Sequence, residues 1–75
     1  MTKIFVRVDC THLEDGAVVP ISITWRDGRV WKITRVIHSC SSQYNEFEGL
    51  RYTVLIGSAE KYLYRTGSRW YVATG

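Results

Sequence analysis

Apolar and polar residues alternate with a period of two along most of this chain, and the alternation is clearest from Ile21 to Ile33. The stretch reads as two strands joined by a tight turn at Asp27-Gly28. A two-residue loop would pair Trp25 with Val30 and set Trp31 opposite Thr24, mixing both faces. A three-residue loop, Arg26-Asp27-Gly28, forms a type I turn followed by Gly28 as a left-handed bulge residue. It pairs Trp25 with Arg29, Ile23 with Trp31 and Ile21 with Ile33. Ile21, Ile23, Trp25, Trp31 and Ile33 then share one face, and Ser22, Thr24, Lys32 and Thr34 share the other. Because a slip of one residue swaps the faces, the pattern selects the bulged turn.

The same period recurs on either side. Lys3–Asp9 sets Ile4, Val6 and Val8 against Lys3, Phe5, Arg7 and Asp9, a first strand with an aliphatic inner face. Residues 10–19 read as a loop, and Pro20, the only proline, suits the first position of the second strand. The third strand is expected to run from Arg29 to about His38 and to bend, contributing to two sheets. Ser39 to Gly49 is polar and Ser-rich, and reads as a mobile loop. Arg51–Ile56, Lys61–Arg65 and Arg69–Ala73 are three further strands, separated by turns at Gly57-Ser58 and Gly67-Ser68. No helical periodicity persists beyond about one turn.

Six strands with no helix to cover an open sheet predict an all-β fold, a small antiparallel six-stranded SH3-like barrel, with an OB-like barrel as the alternative. The expected core is Ile4, Val6, Val8, Ile21, Ile23, Trp25, Trp31, Ile33, Val54, Ile56, Leu63, Trp70 and Val72. Inward placement makes Trp25 and Trp31 core residues rather than ligand platforms. At 75 residues the whole chain, 1–75, is read as one domain. Three Trp, five Tyr and two Phe suit so small a core, since each ring covers a large area with few rotatable bonds.

Charge refines the picture. The net charge is +3, but residues 21–37 carry Arg26, Arg29, Lys32 and Arg35 against Asp27. Residues 51–75 carry Arg51, Lys61, Arg65 and Arg69 against Glu60. The basic residues fall on predicted strands, and most acids fall in predicted loops. A basic sheet surface is compatible with phosphates or with an acidic partner. Arg51, Arg65, Arg69 and Lys32, interleaved with Tyr62, Tyr64 and Tyr71, supply the cations and the exposed rings that a single-strand nucleic-acid binder needs. Arg and Lys stems covering aromatic rings would give the same composition.

Other chemistry is thinly represented. Cys10-Thr11-His12 and His38-Ser39-Cys40 are mirror-image pairs containing every Cys and His of the chain. If the strand ends met, Cys10, His12, His38 and Cys40 could surround zinc, although a one-residue spacer departs from the usual two to four. A Cys–His nucleophilic pair would lack an orienting third group. Glu46 and Glu48 read as loop solvation, and no phosphate-binding Gly-rich loop or hydrolase motif occurs. The chain is therefore expected not to be an enzyme and to need no cofactor. Met1-Thr2-Lys3 leads directly into a strand, and no apolar run approaches a membrane span, so a cytoplasmic monomer is expected.

The series Pro20-x-x-Ile23-x-Trp25-x-Asp27-Gly28, Arg51-Tyr52-x-Val54, Tyr62-Leu63-Tyr64 and Arg69-Trp70-Tyr71-Val72 resembles small uncharacterised bacterial proteins of SH3-like build. Over residues 18–73 it also has a weak likeness to domains found beside Y-family DNA polymerases. That resemblance implies a DNA-repair setting and assigns no catalytic residue. The expected function is a non-enzymatic binding module of unknown specificity, with nucleic acid on the basic and aromatic sheet face as its candidate ligand and a small zinc-binding domain as a minor alternative. The alternative is a protein- or peptide-interaction module using an aromatic groove or a free sheet edge.

Overall fold

A computed structural model describes residues 2–42 and 47–74. Among them there is no helix. Seven strands form one antiparallel sheet: β1 (Thr2–His12), β2 (Val18–Thr24), β3 (Val30–Lys32), β4 (Arg35–Ser41), β5 (Leu50–Ile56), β6 (Ala59–Thr66) and β7 (Arg69–Thr74). The spatial order is β3-β2-β1-β7-β6-β5-β4. β1 makes this order possible by pairing along Thr2–Val6 with β7 and along Arg7–His12 with β2.

The sheet curls into a half-barrel, and its two edges are joined by consecutive residues. Ile33 N–H donates to Ile21 O of β2 at 2.8 Å, and Thr34 N–H donates to Leu55 O of β5 at 2.8 Å. The long third strand expected from sequence does bend and serve both sides. It does so by breaking at Ile33-Thr34, which is why there are seven strands rather than six.

The hairpin register is the bulged one. Ile23 pairs with Trp31, Trp25 N–H donates to Arg29 O, Gly28 N–H donates to Trp25 O, and Gly28 has φ of 94°. Two further bulges reset the alternation elsewhere. In the β1–β2 ladder Asp9 opposes Ser22 and Cys10 opposes Pro20, so Ile21 has no partner on β1. Pro20 takes the inward place and is fully buried, whereas Ile21, expected in the core, is 43% exposed. In the β4–β5 ladder Val36 opposes Val54 and His38 opposes Thr53, which turns Ile37 outward in the same way.

Inside the curl, Ile23, Ile33, Tyr52, Val54, Leu63 and Trp70 form the buried cluster, with Val6, Val8, Val36, Ile56 and Val72 packed against it. Tyr52, absent from the expected core, packs its ring against Trp70 with centroids 5.3 Å apart. Leu63 and Val54 are wholly enclosed. Burial of each such aliphatic side chain contributes about 1.5–3 kcal/mol. Trp25, half-buried, packs against this cluster as expected, whereas Trp31 and Ile4 are half-buried outside it, which corrects their expected place in the core.

The expected loop from Ser39 to Gly49 is also revised at both ends. Ser39-Cys40-Ser41 belongs to β4, and Phe47-Glu48-Gly49 straps across β6 and β7; residues 43–46 lie outside the described residues.

Candidate functional site

Directly opposed residues on neighbouring strands share a face of the sheet. Phe5 of β1 opposes Tyr71 of β7, which opposes Tyr64 of β6, which opposes Arg51 of β5, which opposes Cys40 of β4. These five positions make one continuous row across the outer face. The rings of Tyr64 and Tyr71 lie parallel, 4.9 Å apart with 5° between their planes. Phe5 meets Tyr71 edge-on at 5.7 Å, and Phe47 of the strap meets Tyr64 edge-on at 5.5 Å.

Cations sit along the row. The Arg69 guanidinium lies 3.7 Å from the centre of the Phe5 ring, and Lys3 Nζ lies 5.1 Å from that of Tyr71. The Arg51 guanidinium lies between Tyr62 at 4.5 Å and Phe47 at 4.8 Å. A cation over a ring face at these distances is held in place while its charge remains available to a ligand. Burial works to lower the Arg51 pKa, but Cys40, then Tyr62 and Tyr64, outweigh it and the net shift is upward. Arg51 Nη2 approaches Cys40 Sγ at 3.9 Å, while its Nε–H is buried with no hydrogen-bond partner among the described residues.

The strap covers the middle of the row, with Phe47 over Tyr64 and Arg51 and Glu48 beside Tyr71. Tyr71 Oη donates to Glu48 O at 2.9 Å. The Glu48 carboxylate accepts from Lys3 Nζ at 3.2 Å and from Thr66 Oγ1 at 3.3 Å. The Lys3 hydrogen bond and charge, helped by Thr66, hold the Glu48 carboxyl below the ordinary carboxylate range. Gly49 makes this approach possible: it has φ of 81°, and a Cβ there would fall on the carbonyl oxygen of Arg65. Tyr64 and Tyr71 are consequently buried, which corrects the expectation that all three tyrosines are exposed. Tyr62, beyond the strap, is 53% exposed.

Of the residues expected to bind nucleic acid, Arg51, Tyr62, Tyr64, Arg69 and Tyr71 come together on this face. Arg65 does not: it opposes Trp70, with its guanidinium 5.7 Å from that ring, on the other side of β6. Lys32 lies on β3, at the far end of the strand order. Phe5, Lys3 and Phe47 join the band unannounced. The outward position of Phe5 on β1 was legible, but its pairing with Tyr71 depends on contact between the two ends of the chain.

The four residues considered for zinc are not assembled. Cys10 opposes Pro20 on β2 and packs on the core, whereas Cys40 of β4 opposes Arg51 on the outer face, with three strands between β4 and β1 in the sheet order. Both cysteines are free, and no group of three metal-ligating side chains occurs among the described residues.

Comparison of the chain with protein-family models, curated proteins and solved structures finds no match.

A second feature adjoins the band. β6 and β7 are laddered only from Thr66↔Arg69 to Tyr64↔Tyr71, although β6 extends back to Ala59 and β7 forward to Thr74. Where they part, a cleft of about 360 Å³ opens, lined by residues of both sheet faces, among them Trp25, Trp31, Ile56, Tyr62, Tyr64 and Val72. Trp25 and Trp31 meet edge to face at 4.9 Å, and the Trp25 Nε1–H is buried without a hydrogen-bond partner among the described residues.

Proposed function

We propose that the protein is a non-enzymatic binding module that takes single-stranded nucleic acid across the outer face of β1, β7, β6 and β5. The observation that carries this reading is the set of cations held against rings on this face, Arg69 on Phe5 and Arg51 on Tyr62, with Tyr62 exposed as a stacking surface and the buried Tyr64–Tyr71 stack fixing the strands beneath them. Arg7, two residues from Phe5 on the same side of β1, adds an exposed cation. A single strand presents phosphates at regular intervals and unstacked bases between them. Fixed cations beside aromatic rings answer both needs without reading sequence. The unpartnered Arg51 Nε–H is suited to a phosphate oxygen, because charge-assisted bonds of this kind are among the stronger hydrogen bonds.

The test is fluorescence anisotropy with a labelled mixed-sequence single-stranded oligonucleotide across a salt series. Binding to about three phosphates should weaken in proportion to roughly the second power of salt concentration. Absence of binding near about 50 mM salt, where counterion release favours it most, would sink the proposal. A protein co-purifying with the chain, together with that absence, would favour the peptide-interaction reading.

A further inference from the structure

We propose that the wedge between β6 and β7 is a pocket for one unstacked nucleobase of the strand bound on the outer face. This inference rests on the nucleic-acid reading and adds a specific site to it. Three observations converge on the wedge. Its lining is largely aromatic, with the Trp25–Trp31 pair, Tyr62 and Tyr64 all bordering it. It opens beside the cationic band, because Tyr62 both lines the wedge and carries the Arg51 guanidinium on its ring. Its flanks are polar, since the segments of β6 and β7 beyond the Tyr64↔Tyr71 pair have left their mutual ladder. A base needs this combination of apolar faces and hydrogen-bonding edges.

The shape discriminates between occupants. At Tyr64↔Tyr71 the strands are one ladder spacing apart, about 4.8 Å, whereas an inserted peptide strand would need two spacings throughout. A wedge that closes to a single spacing stops a strand and admits a compact planar group. At about 360 Å³ the cleft lies at the small end of the range for small-ligand pockets. The unpartnered Trp25 Nε1–H supplies a donor for a ring carbonyl, reached when the half-buried Trp25 ring adjusts around the incoming base. Leaving that donor unmet is costly in the free protein, so an acceptor arriving with the ligand is favoured.

The test is an NMR titration of ¹⁵N-labelled protein with oligothymidylate and, in parallel, with an abasic deoxyribose-phosphate oligomer of equal length. The Trp25 indole resonance is assigned by its loss in Trp25→Phe. Oligothymidylate should move both the Trp25 indole resonance and the Nε–H resonances of Arg51 and Arg69. The abasic oligomer should move the arginines and leave the Trp25 indole still, and should bind at least about tenfold more weakly, since it lacks the wedge base together with any base stacked on the outer face. Trp25→Phe should weaken oligothymidylate binding roughly two- to tenfold, as expected for one lost hydrogen bond, and leave abasic binding unchanged.

A Trp25 resonance that stays still while the arginines move would overturn the base pocket and leave the outer-face reading standing. Equal movement of Trp25 with the abasic oligomer would also overturn it, because the change would then be relayed through Tyr62. No movement of either set with oligothymidylate would overturn both readings. An extended peptide that moves Trp25 where oligothymidylate does not would make the wedge a peptide site and refute the proposal.

Discussion

The β6–β7 hairpin has tyrosines at both ends, and the two ends reach opposite outcomes. Near the turn, Tyr64 and Tyr71 are stacked, laddered and roofed by the Phe47-Glu48-Gly49 strap. At the other end the ladder stops, Tyr62 is exposed and two tryptophans stand half-buried beside a cleft. Residue type does not separate them, since Tyr62 and Tyr64 are two positions apart on one face of one strand. What separates them is cover. Where a segment from elsewhere in the chain lies over the sheet, aromatic surface becomes core; where none does, the same surface stays available to a ligand.

Removing the cover should give the largest effect. Gly49→Ala forces a Cβ onto the Arg65 carbonyl at a backbone angle that alanine rarely adopts. A loss of about 3 kcal/mol in chemical denaturation is expected, from strain together with overpacking. Tyrosine fluorescence should report newly wet Tyr64 and Tyr71 in the remaining folded protein. A loss under about 0.5 kcal/mol, the level of an ordinary surface change, would mean that the strap does not hold the closed end shut.

The open end can be disturbed through the hairpin that supplies its tryptophans. Gly28 has φ of 94° with no atom near a would-be Cβ, so Gly28→Val adds backbone strain without a clash. The expected cost is about 2 kcal/mol. An unchanged melting temperature would show that the left-handed bulge is not what holds Trp31 against Trp25.

That hairpin marks how far the sequence was legible. Its turn, bulge and register follow from thirteen contiguous residues, Ile21 to Ile33, and an alternation that tolerates only one pairing. The misplacement of Ile21, like the outward turn of Ile37, has the opposite origin. Each lies at a bulge defined by a partner strand, and nothing in its own neighbours signals the slip. The break at Ile33-Thr34 has no local signature for a similar reason, because it is set by where β2 and β5 present their carbonyls. Among the candidate residues, Arg51 and Tyr62 were readable from local interleaving. The sorting of Arg65 to the opposite face was implicit in the period of two. The burial of Tyr64 and Tyr71 was not, since it depends on a strap that reads locally as polar loop.

Two smaller effects refine the account of that strap. Tyr71→Phe deletes the hydroxyl that donates to Glu48 O and keeps the stacked ring. About 1 kcal/mol should be lost, with the Tyr64 environment unchanged, as checked by urea denaturation and near-ultraviolet circular dichroism. The smallest effect is electrostatic. The Glu48 carboxyl has a lowered pKa in the folded state, so its contribution is present above the unfolded-state pKa and disappears as pH falls through the folded value. Lys3→Met should flatten that acid dependence, and because the pair is exposed the change should be small. An identical acid limb in the two proteins, followed by thermal melts between pH 6 and pH 2 (roughly the carboxylate range), would remove Lys3 as its source.

The central claim concerns a face, not a net charge, and a matched pair of double variants separates the two. Arg51→Gln with Arg69→Gln removes two cations from the outer row; Lys32→Gln with Arg65→Gln removes two from elsewhere and leaves the same net charge. Single-strand affinity near about 50 mM salt, measured by anisotropy, should fall on the order of a hundredfold for the first pair and little for the second. Equal losses for both pairs would mean that the protein attracts nucleic acid only through its overall charge, and would contradict an interface on this face.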